Sequence, residues 1–497
     1  MQTPFFPQFR ARLSALGQRV HTLRQQSLPH LDLLFGRFLP AGILSQSDEG
    51  PNSRERIYSV RRTFFGFLYQ VLNPDCACRE VVRQIQALFA LASPRHVSEG
   101  TGAFCQARGR LPLDLLARVR CAVAAHAEKA GQLWKEFRVK VIDGTGISLP
   151  DTPKNQRRYP QSREQKRGCG FPFMKVVGVF SLATGALLDY AKGNKHQHEL
   201  SLLHRLLDQF KPGDLALADR GFSCYTLLAL LWQQKVPCLF RLHHARKGDL
   251  RKGKPLGRND RLLVWRKPQN WQRPRYLPIA VWNLIAPELT VRVLRFSLRR
   301  AGYRTRSVSL VTTLVDPERY SAQELAELYA RRWQIELWFR DVKTSMGMEV
   351  LRCQSPAMIH KELEMFFIAY NLIRSLMVQA SQQYQVDISR MSFKGTVDGL
   401  RQFSGAIAQA RTRRKQRELF DRLLEAMAKD LVPKRPGRRE PRAVKRRPKP
   451  FPHLNQPRHQ FKDVSHRNRN WKNKPKKIRA YFKCHSGLTP RPSVEGG

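Results

Sequence analysis

Strand-like and helix-like segments alternate in the middle of the chain, and this alternation narrows the possible folds more than any other feature. Residues 137–143 alternate apolar and polar side chains and reach an aspartate followed by a glycine, which predicts a strand that stops there. Two strand-like runs joined by a hairpin turn, an amphipathic helix and a short apolar strand come next, at residues 174–182, 186–190, 200–210 and 215–218. The segment is predicted to be a mixed α/β domain.

The flanking segments have different patterns. Before the α/β domain, apolar residues recur at spacings of three and four with basic residues between them, as in 56–72 and 78–91, which predicts helices. This helical part is interpreted as a DNA-docking domain, and a purely structural subdomain is the alternative. Residues 238–303 are basic, β-like and punctuated by glycine and proline, which indicates an insertion within the α/β domain.

The end of the chain is strongly basic. Residues 431–480 hold 18 Lys or Arg and two acidic residues, a net charge of +16, with frequent proline and few large apolar side chains. Such a composition predicts a disordered basic tail that adds salt-sensitive, non-specific DNA binding. The predicted organisation is a helical DNA-binding domain at 1–130, core at 131–237, a β-rich insertion at 238–303, core and C-terminal helices at 304–430, and the tail at 431–497.

Charge limits the function classes. The chain has 89 Lys and Arg against 39 Asp and Glu, a formal charge of +50, which favours a polyanionic partner. A basic but inert surface is the alternative, and charge alone does not separate DNA from RNA. Nine scattered cysteines, without zinc-binding spacing, favour a reduced intracellular protein. The start lacks an apolar signal core, so the chain is expected to be cytoplasmic or nucleoid-associated and without membrane contact; Pro4 and Pro7 argue against an organelle transit peptide.

One long helix is predicted at residues 321–343, beginning with a capping box of Ser321 and Glu324 and continuing without interruption. At about 100° per residue, one polar stripe about 80° wide lies beside the apolar face. It contains Tyr329, Arg332, Glu336, Arg340 and Lys343. A carboxylate flanked by cations at the rim of a core suits the binding of phosphates close to that carboxylate. The alternative is a set of ion pairs that stabilise the helix.

Two aspartates could complete a site with Glu336. Asp143 and Asp219 each lie at the end of a predicted strand, close to a glycine that permits close approach of a ligand. Three carboxylates suit Mg²⁺ or Mn²⁺, and two such ions can activate a water or a 3′-hydroxyl and neutralise the leaving oxygen at a phosphodiester bond. A turn-capping role is the alternative for each aspartate, and Asp151, Asp189 and Asp214 are possible substitutes.

These residues resemble a known family. Tyr329, Arg332, Glu336 and Lys343 match the Y-(2)-R-(3)-E-(6)-K signature of DDE-type bacterial insertion-sequence transposases of the insertion-sequence-four family, without a departure. Asp143-Gly-Thr145 looks like that family's first catalytic motif, and residues 217–222, which contain Asp219, look like its second. The resemblance covers roughly residues 50 to 400.

The resemblance implies a ribonuclease-H-like core interrupted by a mainly β insertion. It implies that Asp143, Asp219 and Glu336 are the catalytic metal ligands, for two Mg²⁺ or Mn²⁺ ions, and that Tyr329, Arg332 and Lys343 bind DNA phosphates. The expected partners are double-stranded transposon ends, target DNA, and a second copy of the chain or a larger assembly formed on DNA. Some relatives stabilise a flipped base on an insertion-domain aromatic, for which Trp265, Trp271 and Trp282 are candidates, although a core position is expected for each.

Other interpretations remain. His196, His198 and Glu199 could form a second metal cluster, but Gly193-Asn194 resembles a helix start, and solvated histidines are favoured. The expected function is DNA transposition by metal-dependent cleavage and strand transfer. The rivals are a catalytically inactive DNA-binding relic acting as a repressor or architectural protein, a nuclease that cuts without joining, and an RNA-binding accessory protein.

Overall fold

The computed structural model describes residues 29–45, 57–92, 96–162, 168–243, 250–297, 307–433, 456–457 and 460. The chain divides into two compact units, residues 1–162 with 171–451 and residues 163–170 with 452–497, and every element named below belongs to the first. The predicted tail at 431–497 and the start of the predicted helical domain lie almost wholly outside the described residues. In the part that is described, no helix is both long and apolar enough to cross a membrane.

The segment before the sheet is helical. It contains α1 (Pro29–Phe35), α2 (Val60–Leu72), α3 (Cys78–Ala92), α4 (Gly102–Arg110) and α5 (Leu113–Glu128). The predicted helices at 56–72 and 78–91 correspond to α2 and α3. Ser59 begins α2 by accepting a hydrogen bond from the Arg62 amide, as N-cap serines do.

The following segment supplies most of a mixed sheet. Its strands are β1 (Arg138–Ser148), β2 (Phe173–Ser181), β3 (Leu187–Gly193), β4 (Asp214–Ala218) and β5 (Cys238–Arg241), and its helices are α6 (Pro153–Arg158), α7 (Glu199–Leu203) and α8 (Tyr225–Gln233). Strands β1, β2 and β3 pair antiparallel, whereas β4 pairs parallel to both β1 and β5. The predicted mixed α/β class is confirmed.

The basic segment between the two parts of the core adds strands to the same sheet. The added strands are β6 (Lys254–Gly257), β7 (Asp260–Arg266), β8 (Glu288–Ser297) and β9 (Ser307–Thr312). A short helix, α9 (Ile279–Leu284), lies between β7 and β8 in the chain. The nine described strands are ordered β3-β2-β1-β4-β5-β9-β8-β7-β6, so β9 joins the core to the inserted strands. The segment predicted to be β-rich therefore continues the central sheet, and the proposed domain boundaries stay predictions.

Helices cover both faces of the sheet. The remaining helices are α10 (Ala322–Arg331), α11 (Gln334–Arg340), α12 (Pro356–Gln383), α13 (Phe393–Gln409) and α14 (Arg413–Lys429). One core contains Val141, Phe180 and much of α12, and a second core on the other sheet face contains Ile142, Val177 and the apolar side of α8. Because side chains alternate along β1, neighbouring residues of one strand serve the two cores.

A buried ionic network links the helical segment to the sheet and α12. Arg120 of α5 donates to Glu364 of α12 at 2.9 Å and to Asp189 of β3 at 2.8 Å. The Tyr190 hydroxyl also donates to Glu364, at 2.9 Å. A buried charge is costly unless it is paired, so this network requires α5, β3 and α12 to dock together.

Two predicted elements were wrong in detail. β1 does not stop at Asp143 but continues to Ser148, because β2 runs antiparallel to it along that whole length. The amphipathic helix predicted at 200–210 is split into α7 and a 3-10 helix, His204–Gln209. The helix also begins at Glu199 rather than directly after Gly193 and Asn194.

Candidate active site

Strand register places the two aspartates side by side. β1 and β4 run parallel, and their last paired residues are Ile142 and Ala218. Asp143 and Asp219 each follow directly, one within the continuing β1 and the other just past the end of β4. In parallel strands with this register, equivalent positions share one edge, so both carboxylates belong to the same edge of the parallel pair.

The two aspartates have partners that differ from those of a turn cap. The Asp219 carboxylate accepts a hydrogen bond from the Tyr329 hydroxyl at 3.4 Å rather than capping the turn that follows it. Asp143 accepts from its neighbour, the Gly144 amide, at 2.8 Å and from Arg332 at 3.4 Å. Both carboxylates therefore face the segment that carries the Tyr-Arg-Glu-Lys signature.

The possible substitutes for these aspartates have structural partners instead. Asp214 is fully buried and pairs with Arg138 and Lys140, and Asp189 pairs with Arg120. Asp151 accepts from Gln156 within the loop that leads into α6. Each of these three aspartates therefore has a protein partner, which explains its position without a bound metal ion.

The predicted uninterrupted helix at 321–343 was wrong. Its capping box at Ser321 and Glu324 is present, but α10 ends at Arg331 and α11 begins at Gln334. Residues Asp341–Ser345 then form a π-helical turn. Both irregularities fall at signature residues, since Arg332 lies in the break and Lys343 in the π turn; such turns recur at functional sites.

Arg332 joins two of the three acids. Its Nη1 donates to Asp143 Oδ2 at 3.4 Å, and its Nη2 donates to Glu336 Oε1 at 3.0 Å. The Arg332 side chain is 10% exposed, compared with 23% for Asp143 and 40% for Glu336. A largely buried guanidinium thus lies against two carboxylates that remain open to solvent.

The remaining signature residues lie around the same acids. Tyr329 contacts Asp219, and Lys343 Nζ lies 3.4 Å from Thr145 Oγ1 and 3.1 Å from the Gly146 carbonyl oxygen. The structure therefore brings Tyr329, Arg332, Glu336 and Lys343 to the β1 and β4 edge. Arg340, predicted on the same stripe, is exposed, with its guanidinium 4.0 Å from Asp341.

Burial and neighbouring charge change the titration of this cluster. The pKa of Asp143 is raised to about 6, chiefly by burial and to a smaller extent by the carboxylates of Asp219 and Glu336, against the lowering effects of the Gly144 amide and Arg332. Burial lowers the pKa of Lys343. Burial alone would lower the pKa of Arg332, but Tyr329 and the surrounding acids outweigh it and raise the net value. The cluster therefore favours a bound positive charge.

The donor set is compatible with a divalent metal ion. Three carboxylates from β1, the end of β4 and α11 are the hard oxygen ligands that Mg²⁺ and Mn²⁺ prefer. Among the described residues, no group of three or more His, Cys, Asp or Glu side chains is gathered closely enough to hold a metal. Arg332 supplies the positive charge between Asp143 and Glu336 instead. The three carboxylates are suitable ligands for a divalent metal ion. In this structure, however, the Arg332 guanidinium lies between the carboxylates of Asp143 and Glu336.

The second possible metal cluster is not formed. His196 and His198 are exposed on the turn before α7, as expected for solvated histidines. Glu199 lies elsewhere: a Cβ built on Gly144 would overlap its carboxylate. This carboxylate lies against Gly144, the residue that follows Asp143 in β1, a position that sequence reasoning did not predict for it.

The three candidate tryptophans differ in exposure. Trp282 is buried and donates to Asn270 Oδ1 at 2.8 Å, so it has a structural role. Trp265 is partly buried against the core, whereas Trp271 is 81% exposed. The expectation of a core position is wrong for Trp271.

Sequence reasoning gave no role to several further residues near the site. Thr145 contacts Lys343, and Arg241 at the end of β5 is close enough to Tyr329 to lower its pKa, against the dominant effect of burial. Trp333, in the break before α11, is 51% exposed, and Leu337, on α11, is 38% exposed. Position at a strand end could have suggested Arg241, but no sequence signal identified the exposed apolar pair.

Comparison with known proteins agrees with this geometry. Residues 134–372 match the family model of the transposase DDE domain, a segment that contains all six proposed site residues. Residues 134–372 are therefore similar to the transposase DDE domain, and the resemblance seen in the sequence is confirmed.

The individual relatives are insertion-sequence transposases. The chain is 28% identical over 289 residues to transposase InsG for insertion sequence element IS4 of Escherichia coli, which covers 56% of this chain and 62% of that relative. It is 34% identical over 88 residues to a probable transposase for IS5377 of Geobacillus stearothermophilus, covering 18% and 22%. The chain thus spans less than two thirds of the length of either relative.

A solved structure was also matched, that of the piggyBac transposase synaptic complex with hairpin DNA. The match has a TM-score of 0.38 and 10% identity and covers 80% of this chain and 85% of that chain. A score at this level carries no conclusion about the fold.

Proposed function

We propose that the chain is a metal-dependent transposase that cuts DNA at the ends of its own element and joins those ends to target DNA. The observation that carries the proposal is the convergence of Asp143, Asp219 and Glu336 on one group of signature side chains. These acids come from three separate elements, and two of them share one guanidinium. The surrounding sheet, with antiparallel and parallel strands between helical layers, supports a ribonuclease-H-like core.

Asp143, Asp219 and Glu336 would hold two divalent cations, Mg²⁺ or Mn²⁺. Such cations lower the pKa of a bound water or hydroxyl and neutralise the leaving oxygen. The three acids supply negative charge at the parallel strand edge, and the Gly144 amide orients Asp143. Arg332 would then exchange its bond to Asp143 for an anionic oxygen of the substrate.

Tyr329, Arg332 and Lys343 would bind the phosphates of the transposon end. Arg332 and Lys343 are cations beside the acids, and Tyr329 has a hydroxyl that can donate to phosphate. Burial lowers the pKa of Lys343, and a phosphate that contacts its ammonium group would offset that effect. The functional substrate is therefore double-stranded DNA, with strand transfer into a second duplex.

Two transposon ends must be held together for joining, so a dimer or larger assembly on DNA is proposed. The formal charge of +50 supports DNA as the partner and association with the bacterial nucleoid. Nothing in this proposal requires a membrane.

The test is cleavage and strand transfer on labelled DNA that carries the inverted repeats flanking the coding sequence, with Mg²⁺ or Mn²⁺ present. The parent is compared with Glu336→Gln, which keeps the shape of the side chain and removes its charge. Glu327→Gln is the matched control, because Glu327 lies exposed on α10, away from the acids. We expect the parent and the control to cut and join, and Glu336→Gln to bind DNA while losing at least about 100-fold in cleavage.

Other outcomes separate the rivals. Parent protein that binds the DNA but never cuts it would indicate a DNA-binding relic. Cleavage without joining would indicate a nuclease, and equal cleavage by parent and Glu336→Gln would exclude the proposed site.

A further inference from the structure

Two thiols lie next to each other in the helical segment, away from the proposed active site. Cys78 begins α3 and Cys105 lies in α4, and their sulfur atoms are 3.8 Å apart. Both side chains are half-buried. A disulfide requires an S–S distance of about 2 Å, so the two sulfur atoms would have to move closer than they are here in order to join.

The surroundings of the pair favour reaction at sulfur. Arg108 Nη2 lies 3.7 Å from Cys105 Sγ, where its positive charge stabilises a thiolate. Gln70 Nε2 donates to Cys78 Sγ at 3.6 Å. Burial raises the pKa of Cys78, although Arg108 opposes that effect. Cys105, which contacts the guanidinium directly, is therefore the better first nucleophile, and Cys78 is the better second one.

A cavity gives small molecules access to the pair. It has a volume of about 590 Å³ and is lined by Cys78, Cys105 and Arg108, among others. This volume suits a small organic ligand. None of the proposed catalytic or phosphate-binding residues is among the described residues that line it, so the cavity is separate from the candidate active site.

We propose that Cys78 and Cys105 form a reactive dithiol site that low-molecular-weight disulfides oxidise to an intramolecular disulfide. The Cys105 thiolate attacks one sulfur of the small disulfide, forming a mixed disulfide and releasing one small thiolate. Cys78, on losing its proton, attacks the Cys105 sulfur and releases the second small thiolate. One small disulfide is reduced to two thiols, and the two cysteine protons pass to those products.

The geometry also predicts which cysteines do not join. Cys76 is buried, and its sulfur contacts the Ala77 carbonyl oxygen at 3.6 Å rather than another sulfur. Cys121 is exposed on α5. Cys121 is therefore a control for unselective oxidation, since exposure alone would make it the more reactive thiol.

The experiment treats the full-length protein with oxidised glutathione and maps its peptides by mass spectrometry without reduction. We expect one Cys78–Cys105 cross-linked pair and a loss of about 2 Da from that pair. Cys121→Ser should leave this cross-link unchanged. Cys78→Ser should abolish it and leave glutathione attached to Cys105. Glutathione on Cys121 with Cys78 and Cys105 unmodified, or a cross-link from Cys78 to Cys76, would overturn the proposal.

A second probe keeps the test informative if a serine variant folds poorly. Phenylarsine oxide bridges two neighbouring thiols, so the folded parent should bind it at this pair and resist displacement by a monothiol. Circular dichroism of Cys105→Ala first establishes that the variant is folded. That variant should then release the arsenical at least tenfold faster with the same monothiol. Equal release from the two folded proteins would contradict a dithiol site.

Discussion

Arg332 supplies the positive charge that offsets the negative charges of Asp143 and Glu336 in the candidate site. Its guanidinium lies between carboxylates that would otherwise repel each other, and it is far less exposed than either of them. A bidentate fork suits two acceptors at fixed separation, which the point charge of a lysine would not match. The same geometry would suit a phosphate that replaces one carboxylate as partner.

Replacing Arg332 should therefore leave the two carboxylates without a compensating positive charge and weaken phosphate binding. We expect Arg332→Gln to lower DNA cleavage at least about 100-fold, because it removes a charge-assisted donor from the reacting region. Its neighbour Arg331 is exposed, and Arg331→Gln is the matched control. Single-turnover cleavage rates at saturating protein measure the effect. Comparable rates for the two variants would remove Arg332 from the site.

A second residue-scale prediction concerns Asp341, the first residue of the π turn. Burial raises its pKa to about 6, against the lowering effects of Arg374 and Arg340. The folded value lies above the unfolded value of 3.8, so between these values the folded chain holds a proton that the unfolded chain has released. The contribution of this carboxyl to stability is therefore present at low pH and lost as pH rises through about 6.

Asp341→Asn removes this titration. From pH 5 to pH 8, the free energy of unfolding of the parent should fall by about 1.4 kcal/mol relative to that of the variant. Urea unfolding at both pH values measures the difference, and Asp208→Asn, an exposed change, should retain the parent's pH dependence. A parallel pH dependence of Asp341→Asn and the parent would show that Asp341 ionises freely in the fold.

At the scale of elements, the close approach of β1 to its neighbours depends on glycine. A Cβ at Gly146 would overlap the Phe173 ring, and the Gly146 carbonyl oxygen accepts from Lys343. We expect Gly146→Ala to destabilise the fold by about 1–3 kcal/mol, because the half-buried Phe173 ring must move away from the new methyl group. Thermal unfolding measures this. Gly405→Ala, in α13 and facing open space, is the control and should cost nothing, and equal stability of the two variants would contradict the packing described.

Element types were predictable where periodicity is strong, but their interruptions were not. The hairpin of β2 and β3 and the helices α2 and α3 follow from pattern alone. The continuation of β1 past Asp143 depends on pairing with β2, which is a tertiary effect. The break at Arg332 and the π turn at Asp341–Ser345 likewise replace regular helix with packing geometry that local propensity does not encode.

At the scale of the whole molecule, the family motifs predicted which residues belong to the candidate site. The periodicity of apolar residues alone does not predict that these residues meet. Asp143 and Arg332 are 189 residues apart in sequence, and no local pattern states that they meet. The register of β1 against β4 and the docking of α11 bring them together. Arg241 belongs to no such motif, which is why sequence reasoning assigned it no role. Thr145 lies within the first catalytic motif, but the motif does not state that its hydroxyl contacts Lys343.

The most direct test of the central claim is metal-specific rescue of cleavage in Asp219→Cys. A thiolate is a poor ligand for Mg²⁺ and a better one for Mn²⁺. If Asp219 binds the metal, the variant should lose at least about 100-fold of its cleavage rate in Mg²⁺ and regain at least about tenfold in Mn²⁺, relative to the parent's own ratio in the two metals. Equal losses in both metals, or full activity in Mg²⁺, would contradict a direct role for Asp219 in holding the metal.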